Sequence, residues 1–287
     1  MRIVATEGYA VHKETFEYAS AFLRRNVRLD TYLPDPVEDP STLRLILFND
    51  GQDLAGMGLP ELLETRQGPP LLCVGIHAGK ERLREYGTAV RADYMGRGAK
   101  AFLYTHFIVQ ELLPYLEKKY RVPAFAGRAF AGFSLGGLSA MDIVWNHPHL
   151  FDTAGVFSGS LWWRFKAYED GYREETDRIM HAQVRSGRRP GLRNPTGPRE
   201  GIQGEGVQRE VSQRFFFECG TEDETADRNH NGVIDVIDDT LDLIEALRAQ
   251  GVPRGSIRYL EVPGGKHDKT TWAAALPEFL DWGWGAR

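Results

Sequence analysis

The segment Gly132-Phe133-Ser134-Leu135-Gly136-Gly137 constrains this chain more than any other, because of what flanks it. Upstream, Arg128-Ala129-Phe130-Ala131 is a short apolar run that reads as a buried strand. Downstream, Leu138, Met141, Val144 and Trp145 recur at helical spacing, and Pro148 ends the run. A serine between glycines therefore sits where a strand turns into a helix. Such a turn is too tight for side chains beside the serine, and its strained backbone pushes the hydroxyl into the open. The helix that follows aims its free N–H groups and positive dipole end at the place where an oxyanion would form. The plainer alternative is a Gly-rich strand-to-helix turn with a capping serine.

Two later segments bear on that choice. After Phe215-Phe216-Phe217-Glu218-Cys219, an apolar strand candidate, comes Gly220-Thr221-Glu222-Asp223-Glu224. After Ile257-Arg258-Tyr259-Leu260-Glu261-Val262 comes Pro263-Gly264-Gly265-Lys266-His267-Asp268. Serine, acid and histidine thus follow three strands in the chain order used by the triad of α/β-hydrolases.

The rest of the pattern suits that architecture. Residues 14–18 and 27–33 alternate apolar and polar, as half-exposed antiparallel strands do. Then come short, continuous apolar runs at 43–48, 71–76, 129–131, 154–157, 215–217 and 257–262, separated by helical stretches or long connections. Such runs belong to a parallel sheet buried on both faces. Helices are expected over 100–119, after Ser134, and over 239–250 with Gly251 as cap; a last helix carries Trp272 and Phe279, with a kink at Pro277. The expected fold is a mostly parallel central sheet with antiparallel N-terminal strands and helices on both faces.

At 287 residues, one domain accommodates all of this. A segment at about 164–214 has no sheet role: 174–186 reads as an amphipathic helix, and 187–206 is rich in Gly, Pro and Arg. It is either a lid over the site or a surface loop. The net charge of −5 argues against a nucleic-acid surface, and no apolar run is long enough to span a membrane. The N-terminal residues lack a secretory pattern, so a cytoplasmic location is expected. Cys73 and Cys219 each lie in an apolar run and read as buried thiols rather than a disulfide. Oligomeric state is not readable.

With these residues in place, the chain resembles the putative-esterase branch of α/β-hydrolases, which includes esterase D-type, feruloyl and enterochelin esterases and mycolyltransferases. The resemblance runs from about Val27 to Trp282. It rests on the elbow, on Leu47-Phe48-Asn49-Asp50-Gly51-Gln52, on Glu111-Leu112-Leu113-Pro114-Tyr115, and on Ser158-Gly159-Ser160-Leu161-Trp162-Trp163. Arg84-Glu85-Tyr86 matches less well, lacking one residue of the family's pattern. The resemblance implies that Ser134 attacks an ester carbonyl, His267 relays the proton and Asp223 orients the imidazole. It also implies an oxyanion hole from the N–H groups of Leu135 and Gln52. Glu222 and Glu224 flank Asp223 as rival acids. Trp162 and Trp163, past a strand end, are candidates to stack on a bulky acyl group, unless one of them packs in the core. His77, also at a strand end, is a lesser candidate for the site.

A second constellation runs from Asp227 to Asp238. Asp227, Asn229, Asn231, Val233, Asp235 and Asp238 fall at the ligand positions of an EF-hand calcium loop, with Gly232 at the sharp turn. Asp replaces the usual final Glu, as in dockerin-type loops. The expectation is a structural calcium that takes no part in catalysis; the alternative is an acidic Asn-Gly turn that binds nothing. No cofactor is expected for the chemistry. The function expected from all of this is a serine esterase acting on a small-molecule carboxylic ester, with siderophore and feruloyl esters as the first candidates. Acyl transfer from the same acyl-enzyme and a non-catalytic binding module on this fold remain the alternatives.

Overall fold

In the computed structural model, which describes residues 10–187 and 213–285, one eight-stranded sheet organises the molecule in the order β1-β2-β4-β3-β5-β6-β7-β8. β1 (Ala10–Ser20) and β2 (Arg25–Asp35) form an antiparallel hairpin, and β2 runs antiparallel to β4 (Leu71–Ile76). Every other pairing is parallel, through β3 (Arg44–Asn49), β5 (Arg128–Phe133), β6 (Thr153–Phe157), β7 (Arg214–Gly220) and β8 (Ile257–Val262). This is the α/β-hydrolase architecture expected from the sequence. The hairpin is longer than the sequence pattern implied, because its outer turns are carried by polar residues.

Strand alternation sorts the core into two layers. On one face, Leu45, Leu47, Val74, Phe130, Phe215 and Phe217 meet α3 (Ala101–His106), α4 (Leu113–Tyr120), α5 (Leu135–Asn146), α7 (Ile179–Arg185) and α8 (Asp235–Ala249). On the other, Ile46, Phe48, Ala131, Phe133, Phe157 and Phe216 meet α1 (Leu59–Thr65) and α9 (Lys269–Trp284). Both faces being covered explains why the central strands read as unbroken apolar runs.

The helix expected over 100–119 is continuous but not uniform. A π-helical turn, Phe107–Leu112, joins α3 to α4. Pro114 stands at the start of α4; it has no N–H to give the preceding turn, and the register loosens just before it. Short helices α2 (Arg82–Glu85) and α6 (Glu174–Asp177) complete the set used below.

Residues 164–187 of the expected lid pack into the body of the fold. Ile179, Met180, His181 and Val184 are buried, and α7 packs on α8. Arg178, itself 1% exposed, pairs with the fully buried Asp239 of α8 and with Asp242. The remainder of the expected lid, residues 188–212, lies outside the described residues. Cys73 and Cys219 are buried free thiols, as expected. Among the described residues no helix is long and apolar enough to cross a membrane.

Candidate active site

The turn between β5 and α5 is built by backbone contact. A Cβ on Gly132 would stand 2.4 Å from the Gly136 carbonyl oxygen, and one on Gly136 would stand 2.8 Å from an Asp50 carboxylate oxygen. Only hydrogen fits at either place, so the glycines of the motif are demanded by packing. Ser134 between them has φ 55° and ψ −122°, a conformation an L-residue adopts only when its surroundings enforce it. It opens α5, and the Leu135 N–H behind it lies in the first turn, where helix geometry supplies no acceptor.

A buried polar network bolts the 49–53 turn to this elbow. Asn49 donates to the Gly136 carbonyl at 2.7 Å and accepts from the Tyr104 hydroxyl at 2.5 Å. Asp50, in the left-handed region at φ 57°, holds Arg82 in a two-pronged pair at 2.7 Å for each contact. Its own N–H donates to the Tyr86 hydroxyl at 3.2 Å. Gln52 follows in a short 3-10 turn, Gly51–Asp53, in which hydrogen bonding begins at Asp53 N–H and leaves the Gln52 N–H outside the ladder.

Ser134, Asp223 and His267 line a single cavity of about 330 Å³, together with Ser158, Gly159, Ser160, Trp162, Glu224 and Val236. The three residues singled out from the sequence therefore share one space. The Ser134 hydroxyl lies 3.4 Å from that of Ser160. Among the described residues it makes no hydrogen bond to His267, a looseness common in sites without substrate.

His267 sits on the exposed rim, edge-on to Trp272 with ring centroids 5.3 Å apart. Its basicity is below the ordinary histidine value: partial desolvation outweighs the pull of Asp223, and the Arg82 guanidinium adds to the lowering. A neutral imidazole at neutral pH follows. Asp223 is half-buried with both carboxylate oxygens shielded, and desolvation raises it above the usual aspartate range even though Ser158 and His267 favour its charge. Of the three acids in its loop, Asp223 is the one whose charge acts on His267. Glu224 instead accepts the Val236 N–H at 2.7 Å, tying the loop to α8, and Glu222 is exposed.

The two tryptophans part company. Trp162 is half-buried and lines the cavity, with the Arg97 guanidinium 4.8 Å from its ring centre. Trp163 is fully buried, pressed against Gly87 and Gly98, and cannot touch a ligand. Of the two candidates, Trp163 is the one that packs in the core, the alternative the sequence left open; the two glycines leave a slot that a core indole fills. His77 also stands away from the cavity, 3.1 Å from Asp30 on the hairpin side of the sheet.

The acidic loop forms part of the expected arrangement. Asn229 and Asn231 both donate to Asp238, at 2.9 and 2.7 Å, and Asp227 accepts the N–H groups of Asn231 and Gly232. Asp235 departs from it. It is buried and accepts the Arg228 N–H at 2.9 Å and the guanidinium at 3.1 Å. Among the described residues, no three His, Cys, Asp or Glu side chains gather as a metal group. Four of the six expected ligand residues thus contact one another, and Asp235 is engaged by Arg228 instead.

Three contributors to this site were not singled out from the sequence. Glu218, fully buried near the end of β7, faces Asp223 and Ser158. Ser158 has φ 44° and accepts the Trp272 indole N–H at 2.8 Å. Trp272 also stacks on Phe133, the residue before Ser134, at 5.2 Å. A charged residue inside an apolar run was the available signal for Glu218.

Residues 20–200 match the family described as "putative esterase", and the chain belongs to that family of α/β-hydrolases. It is 30% identical over 148 residues to the uncharacterized protein YbbA of Bacillus subtilis, covering 48% of this chain and 58% of that protein. Among solved structures, it superposes on the enterobactin esterase FES of Shigella flexneri with a TM-score of 0.66 at 19% identity, covering 96% of this chain and 59% of that one. It also superposes on the siderophore hydrolase EstB of Aspergillus nidulans with a TM-score of 0.64 at 16% identity, covering 99% and 96% respectively. The chain therefore spans just under three fifths of the length of the first two relatives.

Proposed function

We propose that this protein hydrolyses a carboxylic ester through a Ser134 acyl-enzyme. The observation that carries the reading is the shared cavity: a strained serine at a helix N-terminus opens into the same space as Asp223 and His267. In this reading Ser134 attacks the carbonyl, and His267, neutral at rest, takes the serine proton and returns it to the leaving alcohol. Asp223 holds the imidazole in the productive tautomer and steadies the imidazolium. The Leu135 and Gln52 N–H groups, both outside any helical ladder, receive the oxyanion.

An aromatic acyl group is the first substrate class to examine. Trp162 offers a half-exposed indole face beside the nucleophile, and the similar structures include enterobactin and siderophore hydrolases. The 227–238 loop is assigned a structural calcium through Asp227, Asn229, Asn231 and Asp238, with the Val233 carbonyl; Asp235 would join only by leaving Arg228.

The test is a burst of p-nitrophenol from a short-chain p-nitrophenyl ester, followed by a panel of feruloyl and catecholate esters. Ser134→Ala should abolish the burst and lower turnover by roughly 10³-fold or more. Undiminished turnover in that variant would sink the reading.

A further inference from the structure

Glu218 is an acid where an acid is costly. It stands on the β7 face that carries Phe216 and looks toward α9, and it is 0% exposed. Both carboxyl oxygens are shielded from solvent. Among the described residues no lysine, arginine or histidine pairs with it. A bare carboxylate in such a place would carry a large desolvation penalty with nothing to offset it.

Its neighbours are themselves arranged around the proposed triad. Ser158 follows β6, the neighbour of β7, and donates its backbone N–H to the Glu218 carbonyl at 2.8 Å. The Ser158 hydroxyl oxygen is already taken as acceptor by the Trp272 indole, so its own proton is free to turn to a carboxyl. Glu218 and Asp223 are the two carboxyls whose charge Ser158 favours, and among the described residues none of their four oxygens yet accepts a hydrogen bond. Asp223, from the loop after β7, is the charged group that acts on Glu218, with His267 beyond Asp223; Tyr259 of β8 and Cys219 of the same strand lie on the opposite face of the sheet, toward α8. None of them brings a fixed positive charge.

We propose that Glu218 is a positioning residue for the triad acid: it stands as a neutral carboxylic acid beside Asp223 and, with Ser158 between them, fixes the Asp223 carboxylate toward His267. The proposal rests on the triad reading above. One proton serves two carboxyls. It stays on Glu218, which is buried deeper, and leaves the negative charge on Asp223, where the imidazolium forms. Ser158 is held in a left-handed backbone conformation that few serines adopt, with its hydroxyl under the Trp272 indole N–H. The titration behaviour agrees: desolvation and the neighbouring Asp223 push Glu218 up to about 8.

Three measurements decide the matter. In the pH profile of kcat/KM, wild type should fall above about pH 8 as Glu218 ionises and repels Asp223, whereas Glu218→Gln, which keeps the shape and cannot ionise, should hold its rate. Glu218→Ala should lose on the order of tenfold in kcat at neutral pH, with Glu218→Gln close to wild type. Infrared difference spectra at neutral pH should show a protonated carboxyl stretch that vanishes in Glu218→Gln. The same alkaline fall in Glu218→Gln as in wild type, or no such stretch, overturns the proposal. If Glu218→Ala does not fold, the profile and the spectrum of Glu218→Gln still decide. Failure of the triad reading looks different: Ser134→Ala would then keep its activity, or wild type would cleave no ester, while the infrared band still reports whether Glu218 holds a proton.

Thermal melts give an independent check. The folded chain must hold a proton on Glu218 that the unfolded chain gives up near 4.5, so wild type loses stability as pH rises from about 4.5 to about 8. Glu218→Gln escapes this loss. Its melting temperature should gain on wild type across that window, and a constant difference would contradict a buried neutral acid.

Discussion

The wall of the cavity that presents Ser134 is buried on every side, whereas the wall that presents Asp223 and His267 is half open to solvent. All twelve residues of α5 are buried, and the elbow before it is fixed by Asn49, Asp50 and two glycines. The loop carrying His267, by contrast, is mostly exposed, and Thr221 and Glu222 beside the acid are exposed as well. Strain can be kept only where many contacts over-determine it, and the proposed nucleophile Ser134 carries a strained backbone. Proton transfer has another requirement. The acid and base must exchange charge with each other near neutral pH, and a rim site with a few chosen charges tunes that without sealing the groups away. The difference predicts that damage to one wall will act through geometry and damage to the other through electrostatics.

The largest expected effect that separates the walls is Asp223→Asn. The substitution keeps volume and removes charge, so kcat/KM should drop by roughly 10³–10⁴-fold. Melting temperature should stay near wild type, because the Asp223 oxygens make no structural hydrogen bond among the described residues. Glu222→Gln and Glu224→Gln serve as controls. A comparable rate loss in either, with Asp223→Asn active, would move the acid one position along the loop.

Gly136→Ala probes the opposite wall and should show the opposite signature. The new methyl would meet the Asp50 carboxylate at 2.8 Å and Asn49 Cβ at 2.9 Å, both of them locked in the buried network. Either the elbow or the 49–53 turn must yield. Overpacking of this kind costs about 1–3 kcal/mol, so the melting temperature should fall by several degrees and activity with it. Full activity with an unchanged melt would show that the nucleophile wall is less rigid than its packing implies.

How much of this was legible in the sequence follows the same division. The elbow could be read because tight turns leave no choice but glycine, and the sheet could be read because burial on both faces writes itself as apolar runs. The outer residues of β1 could not, since an exposed antiparallel strand tolerates His12 and Lys13, which carry no apolar signal. Which of the two tryptophans packs in the core could not be read, because the burial of Trp163 is decided by Gly87 and Gly98, far away in the chain. Ser158 lay inside a motif that was noticed, but its partner Trp272 is 114 residues on. Glu218 interrupted an apolar run, and a single sequence cannot say whether such a residue points to solvent or stays buried as a neutral acid. Local backbone demands were visible; long-range polar pairings were not.

The smallest expected effect lies in the 227–238 loop, on the open wall, where the comparison is most easily sharpened. Asp227, Asn229, Asn231 and Asp238 already contact one another, so a calcium ion would find oxygen atoms close at hand once the two amides turn. Against it stands the Arg228 contact with Asp235, and Arg228 is further engaged by Asp239 and Glu174. With one carboxylate so committed, binding should be weak. At calcium concentrations of about one to ten times Kd, the gain is roughly 0.4–1.4 kcal/mol, or about 1–4 °C in melting temperature. Asp227→Ala should remove that shift. Arg228→Gln is the sharper variant, for it frees Asp235; it should lower the melt without calcium and enlarge the calcium-dependent rise. Esterase turnover should respond little to calcium in any of these proteins, since among the described residues that line the cavity none is one of the loop's candidate ligands. No calcium-dependent shift in either wild type or Arg228→Gln would leave the loop as an acidic turn held by its own hydrogen bonds.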